Sequence, residues 1–159
     1  MDDIPDETFS RGPAILADIL SRDPIRVWSA SGAIIHLWDR AALDMLAAHL
    51  ADMQRATSGL ALGGAVFPNA EHLKFALRKL AYHRDTAQCL CALYPDYLMY
   101  NPQKEQKAGN VRIDAVTPAE GGWGEDIDCT CCRCGTRFKV EERESHYTWW
   151  GWKALPRYG

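Results

Sequence analysis

The chain has 159 residues, of which 47% are hydrophobic and 25% charged, and its formal net charge is −3. That is enough for one ordinary domain or for a small core with a metal-stapled appendage, and the balance is that of a globular chain, not a disordered one. A net negative charge argues against a surface built as a whole to bind a nucleic-acid backbone, and no apolar run approaches the roughly 18 residues of a membrane span.

The start is acidic, with Asp2, Asp3, Asp6 and Glu7, and is expected to be frayed. It lacks a basic stretch followed by an apolar one, so neither a signal peptide nor a membrane partner is expected and a cytoplasmic location follows. Thiols stay reduced there, which favours metal over disulfides for the six cysteines.

Gly12-Pro13 predicts the opening of a short helix that runs to Ser21, since proline is tolerated in a first helical turn. Asp23-Pro24 is read as its end. Residues 25–28 and 33–38 are β-prone runs separated by Ser29-Ala30-Ser31-Gly32, which predicts a β-hairpin. Asp39 is placed to cap a helix carrying Leu43, Leu46, Ala47, Leu50 and Met53 at the spacing of one buried face, with Gly59 as its stop. The connection over 60–68 contains Gly63-Gly64 but no following Lys-Ser/Thr, so it is not a phosphate-cradling loop.

Asn69 is expected to cap a helix over 70–84 with Leu73, Ala76, Leu77 and Leu80 inward. Its outer side then carries His72, Lys74, Arg78, Lys79, His83 and Arg84, a basic face in which Lys74 and Arg78 are candidate partner contacts. After Asp85 the character changes to short β-prone runs, at 87–94, 97–100, 111–116, 127–131, 136–142 and 146–152, divided by turns and by polar segments at 101–110 and 117–126. The expected organisation is an α+β chain. A mainly helical region with a short hairpin spans 1–85, a small antiparallel, zinc-stapled β region spans 86–159, and the two are expected to pack as one compact unit.

Four cysteines fall within six positions in Cys129-Thr130-Cys131-Cys132-Arg133-Cys134-Gly135. Cys131 and Cys134 have the two-residue gap that places two sulfurs on one metal, and Gly135 gives the backbone freedom such a turn needs. Cys89 and Cys91, at i and i+2 of a presumed strand, point to one face and can supply the other half. The candidate metal ligands are therefore Cys89, Cys91, Cys131 and Cys134. Cys129 with Cys132, Cys129 with Cys131, and His146 remain alternatives. The segment Cys131-Cys132-Arg133-Cys134-Gly135-Thr136-Arg137-Phe138 resembles the Cys-x-x-Cys-Gly-x-x-Phe knuckle of zinc ribbons. That resemblance covers at most residues 86–152 and implies a structural zinc held by four thiolates. The chain departs from the ribbon pattern in the one-residue gap of Cys89-Leu90-Cys91.

The stretch from His146 to Lys153 places Tyr147 and Trp149 on one face of a strand and Trp150 and Trp152 on the other. Trp149, Trp150 and Trp152 are candidate contacts for a partner, whether a protein interface or unpaired bases. Neither the His-x-Glu with Pro-Cys-x-x-Cys of zinc deaminases, nor His-Glu-x-x-His, Gly-x-Ser-x-Gly or a Walker motif occurs, so no enzyme is expected. In size, acidity and lack of catalytic motifs the chain is similar to small phage and mobile-element proteins that block host defence or nucleic-acid enzymes, anti-CRISPR proteins among them. The net charge of −3 favours a protein partner over nucleic acid. The alternative is a nucleic-acid-binding regulator using the basic helix and the aromatic strand.

Overall fold

The computed structural model describes residues 7–64 and 68–157, with side chains from Arg11 onward. The acidic start before Glu7 lies outside the described residues, as do 65–67 of the glycine-containing connection. The chain is α+β: helices dominate its first half and a four-stranded antiparallel sheet its second. It divides into two compact units, Met1–Ala87 and Gln88–Gly159.

The first unit holds helices α1 (Glu7–Leu20), α2 (Pro24–Ile35), α3 (Arg40–Ala48), α4 (Leu50–Thr57) and α5 (Asn69–Asp85). Pro13 lies inside α1, which begins earlier than Gly12-Pro13 suggested. The predicted hairpin is instead α2. Asp23 does not merely end α1; its carboxylate accepts from the backbone N–H groups of Ile25 and Arg26, each at 3.0 Å, and Pro24 occupies the first helical position. Val27, Ala30, Ser31, Ile34 and Ile35 are buried at helical spacing, and the hydroxyl of Ser31 donates to the Val27 carbonyl at 2.8 Å. The Ser-Ala-Ser-Gly run is thus mid-helix, because one buried stripe outweighs the local turn signal.

Asp39 caps α3 through the N–H of Ala41. The single long helix expected to follow is broken at His49, whose N–H bonds the Leu46 carbonyl three residues back. Gly59 adopts φ +73 just beyond α4, the left-handed conformation of a helix stop. Asn69 is the first residue of α5 and not its cap; its side-chain amide donates to the Leu62 carbonyl. Lys79, expected on the solvent face, is 1% exposed. Its ammonium donates to the carbonyls of Ile35 and Leu37, both at 2.7 Å, at the carboxyl end of α2, where a cation meets the helix dipole. The core around it is aliphatic: Ile15, Ile19, Ile34, Leu43, Leu46, Met53 and Leu80 are all buried.

The second unit opens not with a strand but with a 3₁₀ helix, Leu90–Asp96, and a short helix α6, Pro102–Lys107, inside the expected polar loop. Asn101 caps α6 by accepting from the N–H groups of Gln103 and Lys104, with Pro102 at the first helical position. Residues 97–100 form no strand. Strands β1 (Val111–Pro118), β2 (Glu125–Cys131), β3 (Arg137–Ser145) and β4 (Tyr147–Ala154) follow as an antiparallel meander in the order β1-β2-β3-β4. Register sets Val111 opposite Cys131, Cys129 opposite Phe138 and Val140 opposite Trp152. Alternation therefore gathers Ile127, Cys129, Cys131, Phe138, Val140 and Trp152 on one buried face.

The 3₁₀ helix covers that face with Tyr94. Its ring stacks on Trp152 with centroids 4.2 Å apart and meets Phe138 and Tyr100 edge-on at 5.7 and 4.8 Å. The Trp152 indole N–H is satisfied by the Tyr100 carbonyl at 2.9 Å. The opposite face of the sheet is polar, with Asp126, Asp128, Arg137, Lys139, Glu141 and Lys153 at alternating positions.

Candidate metal centre

Two tight turns build the centre. In the first, Cys89 is the extended residue before the 3₁₀ helix and Cys91 lies in its first turn, closed by the Ala92 N–H to the Cys89 carbonyl at 3.1 Å. Cys89 and Cys91 converge through this turn and not, as expected, as neighbours on one face of a strand. In the second, Cys131 ends β2, and the N–H of Gly135 returns to the Cys131 carbonyl at 3.0 Å. Gly135 has φ +76, a conformation that costs a residue with a side chain about 1–2 kcal/mol. The Cys131 N–H reaches the Thr136 carbonyl at 2.8 Å and the chain enters β3.

These turns bring the sulfurs of Cys89, Cys91, Cys131 and Cys134 within 4.8 Å of one another. Cys89 and Cys131 are 3.8 Å apart, and Cys91 and Cys134 are 3.4 Å apart. All four are free thiols; a disulfide requires about 2.05 Å. Four sulfurs around one zinc at about 2.3 Å would stand about 3.8 Å from each other in a tetrahedron. The donor set and its spacing fit a single tetrahedral ion. Cys91 and Cys131 are buried and Cys89 and Cys134 half-buried; Cys89, Cys91 and Cys134 border a pocket of about 380 Å³ that Thr136, Phe138 and Arg157 also line.

The four thiols share their protons unequally. A hydrogen bond from Cys91, supported by the backbone N–H groups of Cys134 and Arg133, outweighs burial and brings the Cys131 thiol down to about 4. Cys91, on the donating side, is held up by that same bond and by burial. Burial also raises Cys89, against a backbone hydrogen bond from Cys91. At Cys134 burial opposes ionisation, but hydrogen bonds from the Thr136 hydroxyl and backbone win and its pKa falls. Each turn thus aims N–H groups at a sulfur, the arrangement that stabilises a metal-bound thiolate.

No known family, no curated protein and no solved structure matches this chain. What remains of the likeness to zinc ribbons is the four-cysteine cluster itself, which is compatible with a metal-binding segment.

The alternative ligands lie elsewhere. Cys129 faces the sheet core, where burial pushes its thiol up to about 12, and Cys132 is exposed at the tip of the knuckle. His146 forms the β3–β4 turn with φ +58, at the far end of β3, on the order of 30 Å along the strand from the knuckle. It is no substitute ligand. The partner candidates belong to different units. Lys74 and Arg78 are exposed one turn apart on α5 of the first unit, while the tryptophans belong to β4 of the second. Trp152 is 4% exposed and belongs to the core, not to a contact surface. Trp150 is half-buried, its indole N–H donating to Glu142 at 2.8 Å, and Trp149 is half-buried on the polar face.

Sequence reasoning missed Thr136 and Arg157. The Thr136 hydroxyl meets Cys134 Sγ at 3.1 Å, and the Arg157 guanidinium donates to that hydroxyl at 3.2 Å and to the Cys134 carbonyl at 3.1 Å. Thr136 follows the knuckle directly and could have been read from its position; Arg157 carries no local signal. Also missed was Trp123, which is 83% exposed in the glycine-rich β1–β2 loop.

Proposed function

We propose that the four cysteines hold one zinc ion as a structural staple, and that the stapled unit serves a non-enzymatic protein whose partner is another protein. The observation that carries this reading is the convergence of four sulfurs within 4.8 Å. A polynuclear iron–sulfur cluster interposes inorganic sulfides and spreads its cysteines farther apart, so a single ion fits better. With four thiolates, zinc is fully coordinated and keeps no open position for substrate, which supports structure over catalysis. Metal analysis of purified protein tests this: about one zinc per chain is expected, lost in Cys134→Ser. Zinc-free protein with a fully ordered sheet would overturn it.

A protein partner is favoured by the net charge of −3 and by the exposed aromatic and aliphatic groups Trp28, Ile25 and Trp123, the last two 78% and 83% exposed. An acidic chain of this size without catalytic motifs suits an inhibitor or adaptor of the kind that phage and mobile elements encode. Direct nucleic-acid binding is the competing reading, favoured by Lys74 and Arg78. Salt distinguishes them: oligonucleotide affinity that falls steeply with ionic strength supports the second, and salt-insensitive capture of one protein supports the first.

A further inference from the structure

Glu105 is 3% exposed and lies on α6, outside the cysteine cluster. One of its oxygens, Oε2, receives two hydrogen bonds from two different segments. The Tyr94 hydroxyl donates at 2.7 Å and the Asn110 side-chain amide at 3.0 Å. Tyr94 lies three residues beyond Cys91 in the 3₁₀ helix that carries the first ligand pair. Asn110 is also tied to Glu105 through its backbone, its N–H donating to the Glu105 carbonyl at 3.0 Å. Its own carbonyl accepts the N–H of Cys132 at 3.0 Å, and Cys132 is one of the two residues between the second pair, Cys131 and Cys134. Tyr94 and Asn110 are themselves 1% and 3% exposed, so the connection is made away from water.

We infer that Glu105 is a positioning residue for the metal centre, one buried oxygen that sets the Cys89/Cys91 turn and the Cys131/Cys134 knuckle at the separation a single ion requires. The inference rests on the proposed reading of the cluster as a zinc site. A buried carboxylate is costly to desolvate, and an apolar side chain would pack the same space without that cost. What an apolar residue could not do is hold both donors at one point. Neither ligand pair alone makes a site, because each turn offers two sulfurs and the ion needs four. Groups that hydrogen-bond a metal ligand directly typically contribute about 10- to 100-fold to affinity, and Glu105 acts one step further out, through Tyr94 and Asn110, which places its effect at the lower end of that range.

The test uses the full chain, with zinc affinity measured by competition against a chromogenic chelator and geometry read from the ligand-field spectrum after loading with cobalt(II). Glu105→Ala is expected to weaken zinc by about 10-fold and to alter the cobalt spectrum. Glu105→Gln, which keeps an oxygen acceptor, is expected to recover most of both. Leu46→Ala, a core truncation in the helical unit, which carries none of the four cysteines, is expected to leave the spectrum unchanged. If Glu105→Ala fails to fold, Tyr94→Phe removes only the hydroxyl donor and decides the matter by the same two readouts. Wild-type affinity, an unaltered spectrum, or no recovery in Glu105→Gln overturns the inference. Wild-type protein that binds no metal overturns the zinc reading itself, so the two failures are distinguishable.

Discussion

The two units are built on different terms. The first packs helices through an aliphatic stripe, with Ile19, Val27, Ile34, Leu46 and Leu80 fully buried and a single ammonium, Lys79, closing the end of α2. The second has one sheet with one covered face, an aromatic cluster of Tyr94, Tyr100, Phe138 and Trp152, a few aliphatic residues such as Leu93, Val111, Ile127 and Val140, and buried thiols and a carboxylate among them. Helices satisfy their own backbone and need only a stripe to bury. A four-stranded meander with a polar outer face buries little apolar area, and a small core of that kind ordinarily needs a staple. The difference explains why six of six cysteines fall in the second unit.

On the proposed reading of the cluster as a zinc site, the strongest way to break this contrast is to remove the metal. Chelation, or Cys134→Ser, should unfold the sheet while α1 to α5 keep their helical signal, because zinc in such sites contributes roughly 10–16 kcal/mol. Residue-resolved amide exchange would show it; equal loss of protection in both units would erase the distinction. Trp152→Ala should come next, at about 3–5 kcal/mol, since it removes the ring stacked on Tyr94. Denaturant melts of the zinc-loaded protein measure this.

Alkali should also act on the second unit. Burial raises Tyr97 to about 12 and lifts Tyr94 and Tyr100 further. A folded pKa above the ordinary value of 10.0 means the contribution is complete below about pH 10 and is lost as pH rises through 12. Tyrosinate absorbance and sheet signal should therefore change together in that window. Tyrosines that ionise near 10 while the sheet stays intact would contradict their burial.

Asp23→Ala, which removes the cap of α2, should cost about 1 kcal/mol in the helical unit and leave zinc content unchanged. The smallest effect on stability belongs to Trp123→Ala, within about 0.5 kcal/mol, because the ring is almost wholly exposed. On the proposed reading it should nonetheless weaken capture of a protein partner. Unchanged capture by that variant would move the interface elsewhere.

Much of the second unit was legible in the chain. The strands at 111–116, 127–131, 136–142 and 146–152 match the observed sheet to within a few residues, since alternation and turn glycines mark them locally. The 3₁₀ helix was not, because Cys89 and Cys91 look alike at i and i+2 of a strand and in a tight turn. The missed α2 has a similar cause. Its Ser-Ala-Ser-Gly run satisfies a turn rule, whereas the buried stripe of Val27, Ser31, Ile34 and Ile35 acts only once α1 and α5 supply something to pack against. Lys79 shows the limit most plainly: nothing in a basic helix face tells which lysine will find two carbonyls.

The amino-acid sequence alone determined the α+β character, the sheet strands and the cysteines offered for metal, because spacing and alternation are local properties of a chain. Tertiary structure alone decided that Cys89 and Cys91 meet Cys131 and Cys134, that Cys129 and His146 stand apart, and that Glu105 ties both turns to one oxygen. Those are relations between separate segments, some forty residues apart for the two cysteine pairs, and they are set by packing and by the demand that buried polar groups find partners, which no local spacing rule contains.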